Sequence, residues 1–327
     1  MKSVYYKEFG KPEDVLIHGE VNTPEPKEGE VLVHLKTSAV NPSDVKKRAG
    51  PNPDLLQNGL IIPHSDGAGV IEAVGPGVPG DRIGERVYVY QGQFRRSMGT
   101  AAEYIAIPGR RAVTLPDDVS FEIGASAGIP MFTAHRCVFA DGPVKNKILL
   151  ITGGAGRVGY YAIQWALRGG ARVLATASNK EDRQACLDLG VEAVFNHRNK
   201  GWGEEISRYL EGKKADRVVD VEFGANLEEV LSCIAVGGYI ATYSSTVVPE
   251  PSLPFRRMMF MDLTLRMVIV YRMPEDAKDE AIAKTDEVLR NRAFSHRIAE
   301  ILPLDQCVQA HKLIERGASR GVVLLSI

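Results

Sequence analysis

The sequence has few cysteines and almost no net charge. Its 327 residues include four cysteines, Cys137, Cys186, Cys233 and Cys307, and no two of them form a CxxC pair. Cysteines this far apart argue against a disulfide framework or a cysteine-rich metal site and favour reduced, buried thiols. Forty basic residues against forty-one acidic ones give a formal charge of −1, and no basic stripe with interleaved aromatic residues occurs. We therefore expect no nucleic-acid partner.

Long apolar segments are also missing. The initial stretch MKSVYYKEFGKPEDV lacks the apolar core of a secretion signal, and the apolar segment at 258–270 is interrupted by Asp262 and Arg266. With 44% hydrophobic and 25% charged residues, the composition is that of an ordinary soluble protein. These features predict a cytoplasmic protein that does not insert into a membrane.

Two folding patterns follow one another along the chain, whose length predicts about two domains of roughly 150 residues each. Short β-type segments separated by Gly and Pro come first, at 3–6, 31–39, 69–74, 86–89 and 104–107, and predict a partly closed antiparallel β-domain. Strands then alternate with amphipathic helical stretches, at 147–152, 172–177, 193–195, 217–221 and 239–243. This alternation predicts a doubly wound parallel sheet, and hence an α/β protein.

The end of the chain has a mixed pattern. An apolar segment at 263–271 is followed by a helix at 276–292, a helix at 304–316 capped by Asp305 or by the turn before it, and a strand at 321–327. This tail is too small to fold alone, so we expect it to pack on the first domain.

A glycine-rich loop carries the strongest chemical signal. It reads Gly154, Ala155, Gly156, Arg157, Val158 and Gly159, between the apolar strand KILLIT and the helical stretch 160–168. This is GxGxxG in its strand-to-helix context, where the glycines allow a tight turn, close approach of a pyrophosphate and close helix packing. Glycine loops often only turn a chain, but the surrounding strand–helix array favours a dinucleotide at residues 154–158.

The end of the second strand indicates which dinucleotide. An NAD site usually has a carboxylate there for the ribose 2′-hydroxyl, but this chain has Ser178, Asn179 and Lys180. These donors would accept a 2′-phosphate, which predicts NADPH. Alternatively, Ser178 or Asn179 caps the next helix with Glu181 completing a capping box, and both interpretations can hold together.

Other strand ends supply further candidates for cofactor binding. His197 and Arg198 end the third strand, where they can reach the adenosine end. Ligands in such folds lie at the carboxyl ends of strands, which points to Tyr243, Ser244 and Ser245. Val268 and Val270 are expected to line the nicotinamide edge.

Several short segments together resemble the quinone oxidoreductases, including the zeta-crystallin group, of the medium-chain dehydrogenase/reductase superfamily. They are NPSD at 41–44, DGAGVI at 66–71, GERV at 84–87, AEY at 102–104, GIPMFTA at 128–134 and FNHR at 195–198, and they extend over nearly the whole chain. The resemblance implies a GroES-like catalytic domain, 1–125 completed by 272–327, and a Rossmann domain, 126–271. The active site would lie between the two domains.

The resemblance also indicates whether the chain can hold a catalytic zinc ion. Zinc-dependent relatives hold catalytic zinc at positions that correspond to Asn41, Ser65 and Ile129. None of these residues can anchor zinc as that family does. His64 is adjacent but alone, and we expect it to be a surface or cleft histidine. The resemblance therefore implies a metal-free reductase of an electron-poor acceptor, which needs no Lewis acid.

Site roles follow by resemblance. Asn41 would be the active-site amide that positions the substrate, and Asp44 would orient its loop, unless it only stabilises the turn. Thr133 would face the nicotinamide pocket, and Arg136 would contact the pyrophosphate or the carboxamide. A basic residue before the last strand would contact the cofactor, with Arg316 and Arg320 as alternatives.

Departures from the family leave the acceptor open. Lys46 and Asn52 stand where relatives carry tyrosines, and the segment 91–99, with Arg95 and Arg96, is longer and more basic than usual. It would meet an acidic substrate or be plain surface. We expect an NADPH:quinone reductase, working by hydride or by single electrons. Its alternatives are an alkenal or enone double-bond reductase and a non-catalytic NADPH-binding protein.

The likeness also implies a homodimer, since the apolar segment 263–270 would pair with its twin across a two-fold axis.

Overall fold

The computed structural model describes residues 1–50, 53–57, 59–317 and 319–327. The chain divides into two compact units, unit 1 with residues 1–129 and 282–327, and unit 2 with residues 130–281. The second division falls inside a helix, and the predicted domain limits at 125/126 and 271/272 stay predictions. Asn52, compared above with a family tyrosine, lies outside the described residues.

The helices and strands are numbered along the chain. The first part contains β1 (Lys2–Tyr5), α1 (Pro12–Val15), β2 (Ile17–Glu20), β3 (Glu30–Val40), α2 (Pro42–Ala49), β4 (Asp66–Val74), β5 (Arg86–Val89), β6 (Tyr104–Pro108), β7 (Ala112–Thr114) and α3 (Phe121–Ala127). The middle contains α4 (Ile129–Phe139), β8 (Ile148–Ile151), α5 (Arg157–Arg168), β9 (Arg172–Thr176), α6 (Lys180–Asp188), β10 (Ala193–Phe195), α7 (Trp202–Tyr209), β11 (Ala215–Asp220), α8 (Phe223–Cys233) and β12 (Ile234–Thr242). The last part contains α9 (Phe255–Phe260), β13 (Thr264–Met267), α10 (Glu275–Arg290), β14 (Ile298–Pro303), α11 (Cys307–Glu315) and β15 (Val322–Ser326).

Unit 2 is built on one parallel sheet. Its strand order is β10-β9-β8-β11-β12-β13, and every neighbouring pair is parallel. The central strand β8 is apolar along its length, and all four of its residues are buried, as expected for a strand covered by helices on both sheet faces. The predicted doubly wound sheet is confirmed.

Unit 1 is built on a mostly antiparallel sheet. Its order is β14-β15-β3-β4-β5-β7, with β6 also paired to β3. β15 pairs with β3 through Val323 opposite Val40 and Leu324 opposite Ala39. The tail therefore packs on the first domain as expected, although β14, which pairs in parallel with β15, was not predicted.

The buried side chains form separate cores. Unit 2 buries Leu150, Leu174, Val218 and Ile240 completely, and each such side chain contributes roughly 1.5–3 kcal/mol by leaving water. All four cysteines are reduced and buried, which confirms the expectation for the thiols.

Some local expectations were wrong. The apolar segment predicted at 263–271 holds only the short strand β13, followed by a 3₁₀ turn at Val270–Arg272. Of the two alternatives for the start of α11, Asp305 does not cap the helix, and the 3₁₀ turn Leu304–Gln306 instead precedes it with Gln306 as the N-cap. In the part of the chain described here, no helix is long and apolar enough to cross a membrane.

Candidate functional site

The glycine loop joins β8 to α5 in a tight turn. The Gly154 amide donates to the carbonyl of Thr176 at 2.9 Å, which ties the loop to β9. A Cβ at Gly159 would come within 2.3 Å of the Gly153 oxygen. Only glycine allows the first turn of α5 to lie this close to the loop.

The start of α5 presents an anion site. Gly156 is the N-cap and has no side chain to bind the first amides of the helix, so these amides can bind a phosphate. Burial lowers the pKa of Arg157, the first helical residue, to about 10, and it therefore stays charged at neutral pH. Ala155 is buried beside it. The residues present fit a dinucleotide pyrophosphate.

A cavity of about 470 Å³ lies in unit 2 at the carboxyl ends of β8 to β11. Its lining includes His197, Arg198 and Lys200, three potential cations. His197 Nδ1 lies 3.2 Å from Thr176 Oγ1, which places its ring at the end of β9. The structure thus brings His197, Arg198 and Lys200 to one pocket, whose lining also includes Glu222 and Glu229, and burial lowers the pKa of His197.

Sequence reasoning missed Lys200, although the HRNK stretch after β10 was visible. Lys180 is exposed at the start of α6 and does not line this cavity.

Asn179 is the N-cap of α6, as the capping interpretation expected. Its Oδ1 accepts from the Asp182 amide at 2.9 Å, and its Nδ2 donates to Asp182 Oδ2 at 2.6 Å. The residue that completes the cap is therefore Asp182, and the expectation for Glu181 was wrong by one position. Ser178 is half-buried just before the cap.

The remaining candidates of unit 2 lie on three further elements. The Ser245 hydroxyl accepts from the Gly224 amide and donates to the Val248 carbonyl, and the Ser244 hydroxyl is within hydrogen-bond distance of Thr246. These bonds shape the loop after β12. Other candidates are half-buried or buried: Tyr243 after β12, Val268 and Val270 after β13, and Thr133 and Arg136 on α4.

In unit 1, Asn41 stands between β3 and α2. Its backbone amide donates to Asp44 Oδ2 at 2.9 Å, the turn-stabilising contact considered for Asp44. Its side-chain Nδ2 donates to Asp66 Oδ2, also at 2.9 Å. Asp44 is buried and forms an ion pair with Lys47 at 3.1 Å. The backbone amide and the side-chain amide of Asn41 are therefore each held by a carboxyl group. Neither Asp66 nor Lys47 was identified as a site residue from the sequence.

The positions compared with zinc ligands do not fit a metal. The Ile129 backbone amide donates to Asp66 Oδ2 at 2.9 Å, and the Lys47 ammonium donates to Ser65 Oγ at 3.3 Å. Asn41 likewise points an N–H group at Asp66. The three positions thus carry an amide, a hydroxyl and an isoleucine in place of thiolate or imidazole ligands, and the nearby carboxyl groups of Asp44 and Asp66 are bound by Lys47 and by these N–H donors.

A second group of metal-type side chains lies elsewhere in unit 1. The ligand atoms of His64, Cys307 and His311 lie within 4.8 Å of one another, and all three residues are buried. His64 is 0% exposed, so the expectation of a surface or cleft histidine was wrong. The tail helix α11 supplies the other two members, which the sequence did not connect with His64.

Hydrogen bonds assign protons to this histidine pair. Arg48 Nε donates to His311 Nδ1 at 3.3 Å, which leaves the His311 proton on Nε2. That proton is donated to His64 Nε2 at 2.9 Å, and His64 Nδ1 then donates to Ser38 Oγ at 3.0 Å. Both rings are neutral, with each ring nitrogen engaged.

The contact between the two rings has the geometry of a hydrogen bond. The ring centroids are 5.2 Å apart at an interplanar angle of 27°, while the Nε2 atoms are 2.9 Å apart. The rings therefore meet end to end along the line that joins these nitrogens, as a hydrogen bond between them requires.

The basic candidates of unit 1 have different surroundings. Arg96 binds Glu30 at 3.1 Å, so this arginine of the 91–99 segment is a structural contact. Arg316 and Arg320 are exposed on either side of the undescribed residue 318, and the choice between them stays open.

Two family models match the chain. The alcohol dehydrogenase GroES-like domain matches residues 27–117, and the zinc-binding dehydrogenase family matches residues 158–287. A quinone oxidoreductase of Pongo abelii is 30% identical over 323 residues, which cover 97% of this chain and 95% of that protein.

Solved structures share the whole fold. A mycobacterial protein solved in complex with NADPH is 26% identical, with a TM-score of 0.89 and full coverage of both chains. A protein described as an NAD-dependent alcohol dehydrogenase is 28% identical, with a TM-score of 0.90 and full coverage of both chains. The fold is therefore shared by proteins whose descriptions name different cofactors, NADPH in one case and NAD in the other.

We predict that the histidine pair makes the fold acid-sensitive. Burial lowers the pKa of His64 to about 4 and that of His311 well below its usual value. The unfolded chain then takes up protons at a higher pH than the folded one, so stability is lost as the pH falls below about 6.5. Each histidine that titrates adds about 1.4 kcal/mol per pH unit to the slope of the unfolding free energy. Urea unfolding at several pH values measures it.

The double variant His64→Gln/His311→Gln should be less stable at neutral pH but show a shallower acid slope. The exposed residue His18 provides the control His18→Gln, which should keep the wild-type slope. Equal slopes for the double variant and the wild type would contradict the neutral assignment of the pair.

Proposed function

The chain belongs to the quinone oxidoreductase family, and on that premise we propose that it is an NADPH-dependent reductase that delivers hydride to a quinone without a metal ion. The observation that carries this proposal is the surroundings of Asn41. Where zinc-dependent relatives need metal ligands, this chain has an amide and a backbone N–H bound to Asp66, and an ammonium bound to Ser65.

The cofactor side rests on unit 2. When bound, NADPH supplies the hydride. The amides at the start of α5, with Arg157, would bind the pyrophosphate. His197, Arg198 and Lys200 would bind the 2′-phosphate, with Lys180 as the outlying candidate. Val268 and Val270 would line the nicotinamide edge, and Tyr243 is the candidate after β12.

The acidic residue Glu222 also lines the cavity, but it does not indicate NAD. Its carboxylate accepts from the backbone amides of Thr246 and Val247 at 2.8 and 2.9 Å. These bonds hold the carboxylate on the loop after β12, whereas an NAD-binding carboxylate would belong to the end of β9.

The acceptor side rests on Asn41. A quinone takes hydride at carbon, and negative charge develops on its oxygen. Asn41 Nδ2 carries two hydrogens, of which one is donated to Asp66, and the other is suited to stabilise that oxygen. Asp44 holds the Asn41 backbone. No Lewis acid is needed because the acceptor is already electron-poor.

The proposed reaction predicts turnover without metal. The purified, metal-stripped protein should oxidise NADPH with a panel of quinones, and more slowly with alkenals or with NADH. Replacing Asn41 by Ala should lower kcat about 10²-fold, the usual cost of one lost oxyanion donor, without weakening NADPH binding. Stopped-flow absorbance of NADPH measures both turnover and binding.

The exposed Asn291 gives the control Asn291→Ala, which should keep wild-type rates. Faster reduction of alkenals would identify a double-bond reductase. Tight NADPH binding with no turnover of any acceptor would replace the proposal by a non-catalytic binding role.

A further prediction concerns cofactor choice. Replacing Arg198 and Lys200 together by Ala should weaken NADPH about 100-fold while leaving NADH within about threefold, since each charge-assisted hydrogen bond contributes about 1.5–3 kcal/mol. The pair Lys180→Ala/His197→Ala tests the residues expected from the sequence. Fluorescence titration gives both dissociation constants.

Lys213 is exposed beyond α7, and Lys213→Ala removes a charge without touching the cavity. Equal losses of NADPH and NADH in both double variants would show that the phosphate site is misplaced.

We also propose that the protein forms a homodimer through β13. This strand is the edge of the parallel sheet, and unpaired edges favour pairing with another strand. Large apolar side chains are exposed around it: Phe255 is 73% exposed, Phe260 69%, Met267 70% and Ile269 58%. A patch of this kind favours burial against a second copy.

Met267→Lys should therefore shift the protein from dimer to monomer, because a charge would be buried without a partner. Light scattering over a wide concentration range measures the mass. Ile83→Lys is the matched control, since Ile83 is 54% exposed and lies in unit 1. A wild-type protein that is monomeric at all concentrations removes the proposal.

A further inference from the structure

The carboxyl group of Asp66 lies beneath the proposed catalytic amide. Asp66 is the first residue of β4 and is 0% exposed. A single oxygen, Oδ2, accepts from Asn41 Nδ2 and from the Ile129 amide, both at 2.9 Å. This oxygen therefore joins the end of β3 to the start of α4.

The second oxygen is in a different environment. Oδ1 is buried without a hydrogen-bond partner among the described residues. It faces Gly128, where an added Cβ would come within 2.3 Å of it. A buried carboxylate with one unbonded oxygen is costly, whereas a carboxylic acid is tolerated. The two donors on Oδ2 suit the carbonyl oxygen of such an acid, with the proton on Oδ1.

Nearby charges do not provide an ion pair. Lys47 is bound to Asp44 at 3.1 Å, and both face Asp66 from α2. Burial is the largest cause that raises the pKa of Asp66 to about 8, and the charge of Asp44 raises it further. The hydrogen bonds from the Ile129 amide and the Asn41 side chain, and the charge of Lys47, lower it. His64, two residues before Asp66, is neutral through its own lowered pKa.

The backbone around Asp66 is held firmly. The Thr100 hydroxyl donates to the Asp66 carbonyl at 2.7 Å and accepts from Ser38 Oγ at 2.8 Å. His64 has a φ of 76°, a conformation that costs energy for a residue other than glycine and is held by the bonds of its ring. The carboxyl group is thus kept in one place relative to Asn41.

From these contacts we propose that Asp66 is a positioning residue that works as a neutral carboxylic acid and orients the Asn41 amide for the reduction. The inference rests on the proposed function, because it takes Asn41 as the donor to the acceptor oxygen. As an acid, Asp66 fixes one N–H of Asn41 without bringing a negative charge near the oxygen on which charge develops. Loss of its proton would place that charge beside the amide and disfavour the reaction.

The experiment compares Asp66→Asn, which keeps a neutral acceptor of the same shape, with Asp66→Ala, which removes it. In the wild type, kcat should fall as the pH rises through about 8. Asp66→Asn should reduce kcat less than tenfold and lose this alkaline fall, whereas Asp66→Ala should lower kcat about 100-fold with little change in KM. Asp117 is exposed in the same unit, and Asp117→Asn should keep the wild-type profile.

A second readout uses the protein without cofactor or acceptor. The side-chain amide signals of Asn41 in a nitrogen–proton correlation spectrum, assigned by their loss in Asn41→Ala, should move with a midpoint near pH 8. This titration needs no Asp66 variant and therefore holds even if those variants fail to fold.

An Asn41 amide that does not titrate near pH 8 would overturn the inference, as would an alkaline fall that persists in Asp66→Asn. Absence of turnover in the wild type would instead count against the proposed function. An amide titration near pH 8 would still support the neutral acid in that case, so the two failures are distinguishable.

Discussion

The pairing of β15 with β3 is the contact on which the rest of unit 1 depends. β3 ends at Val40, directly before Asn41, and Val40 lies opposite Val323 in the tail. The pairing fixes where the preceding helix α11 lies, and α11 carries His311 to within hydrogen-bond distance of His64 and Arg48. Residues from the two ends of the chain are thereby joined around one loop.

This arrangement explains how a strained conformation is tolerated. His64 has a positive φ and would prefer another conformation. Its ring is hydrogen-bonded on one side to Ser38 and on the other to His311. The two hydrogen bonds together offset the conformational energy of the positive φ. The strained turn sets the direction in which the chain enters β4, and so the position of Asp66. Removing either histidine should release the turn as well as the pair.

Two buried acidic residues of this region, Asp44 and Asp66, have different surroundings. Asp44 is fully buried and Lys47 is only 20% exposed at its side chain, so the pair costs desolvation energy that their attraction must offset. The Asp44 carboxylate also accepts the Asn41 amide, which makes the pair part of the N-terminal turn of α2. Asp66, by contrast, forms no ion pair with a cation among the described residues. One acid beside Asn41 is therefore ion-paired and the other is suited to be neutral.

The sequence predicted the features that short patterns determine. The glycine loop, the alternating strands and the cap of α6, expected at Ser178 or Asn179, each depend on a few adjacent residues, and the structure has all of them, with Asn179 as the cap. Even there, the capping partner was misplaced by one position, because Asp182 and Glu181 are both acidic and only geometry distinguishes them. Contacts between distant residues were missed, including His64 with His311 and Asn41 with Asp66. Nothing in a single sequence pairs such residues, which are 25 positions apart in one case and 247 in the other.

The chemistry around Asn41 limits the acceptors that the proposed reaction can use. A metal ion polarises a carbonyl before the reaction begins, whereas an amide N–H stabilises charge mainly as it develops. Much of the driving force must then come from the acceptor, which favours a quinone or a conjugated carbonyl over a simple ketone. Lys47 does not alter this argument, since its ammonium is bound to Asp44 and Ser65. In the proposed reaction, the amide, hydroxyl and isoleucine at the positions compared with zinc ligands would therefore restrict the acceptors through their electronic properties.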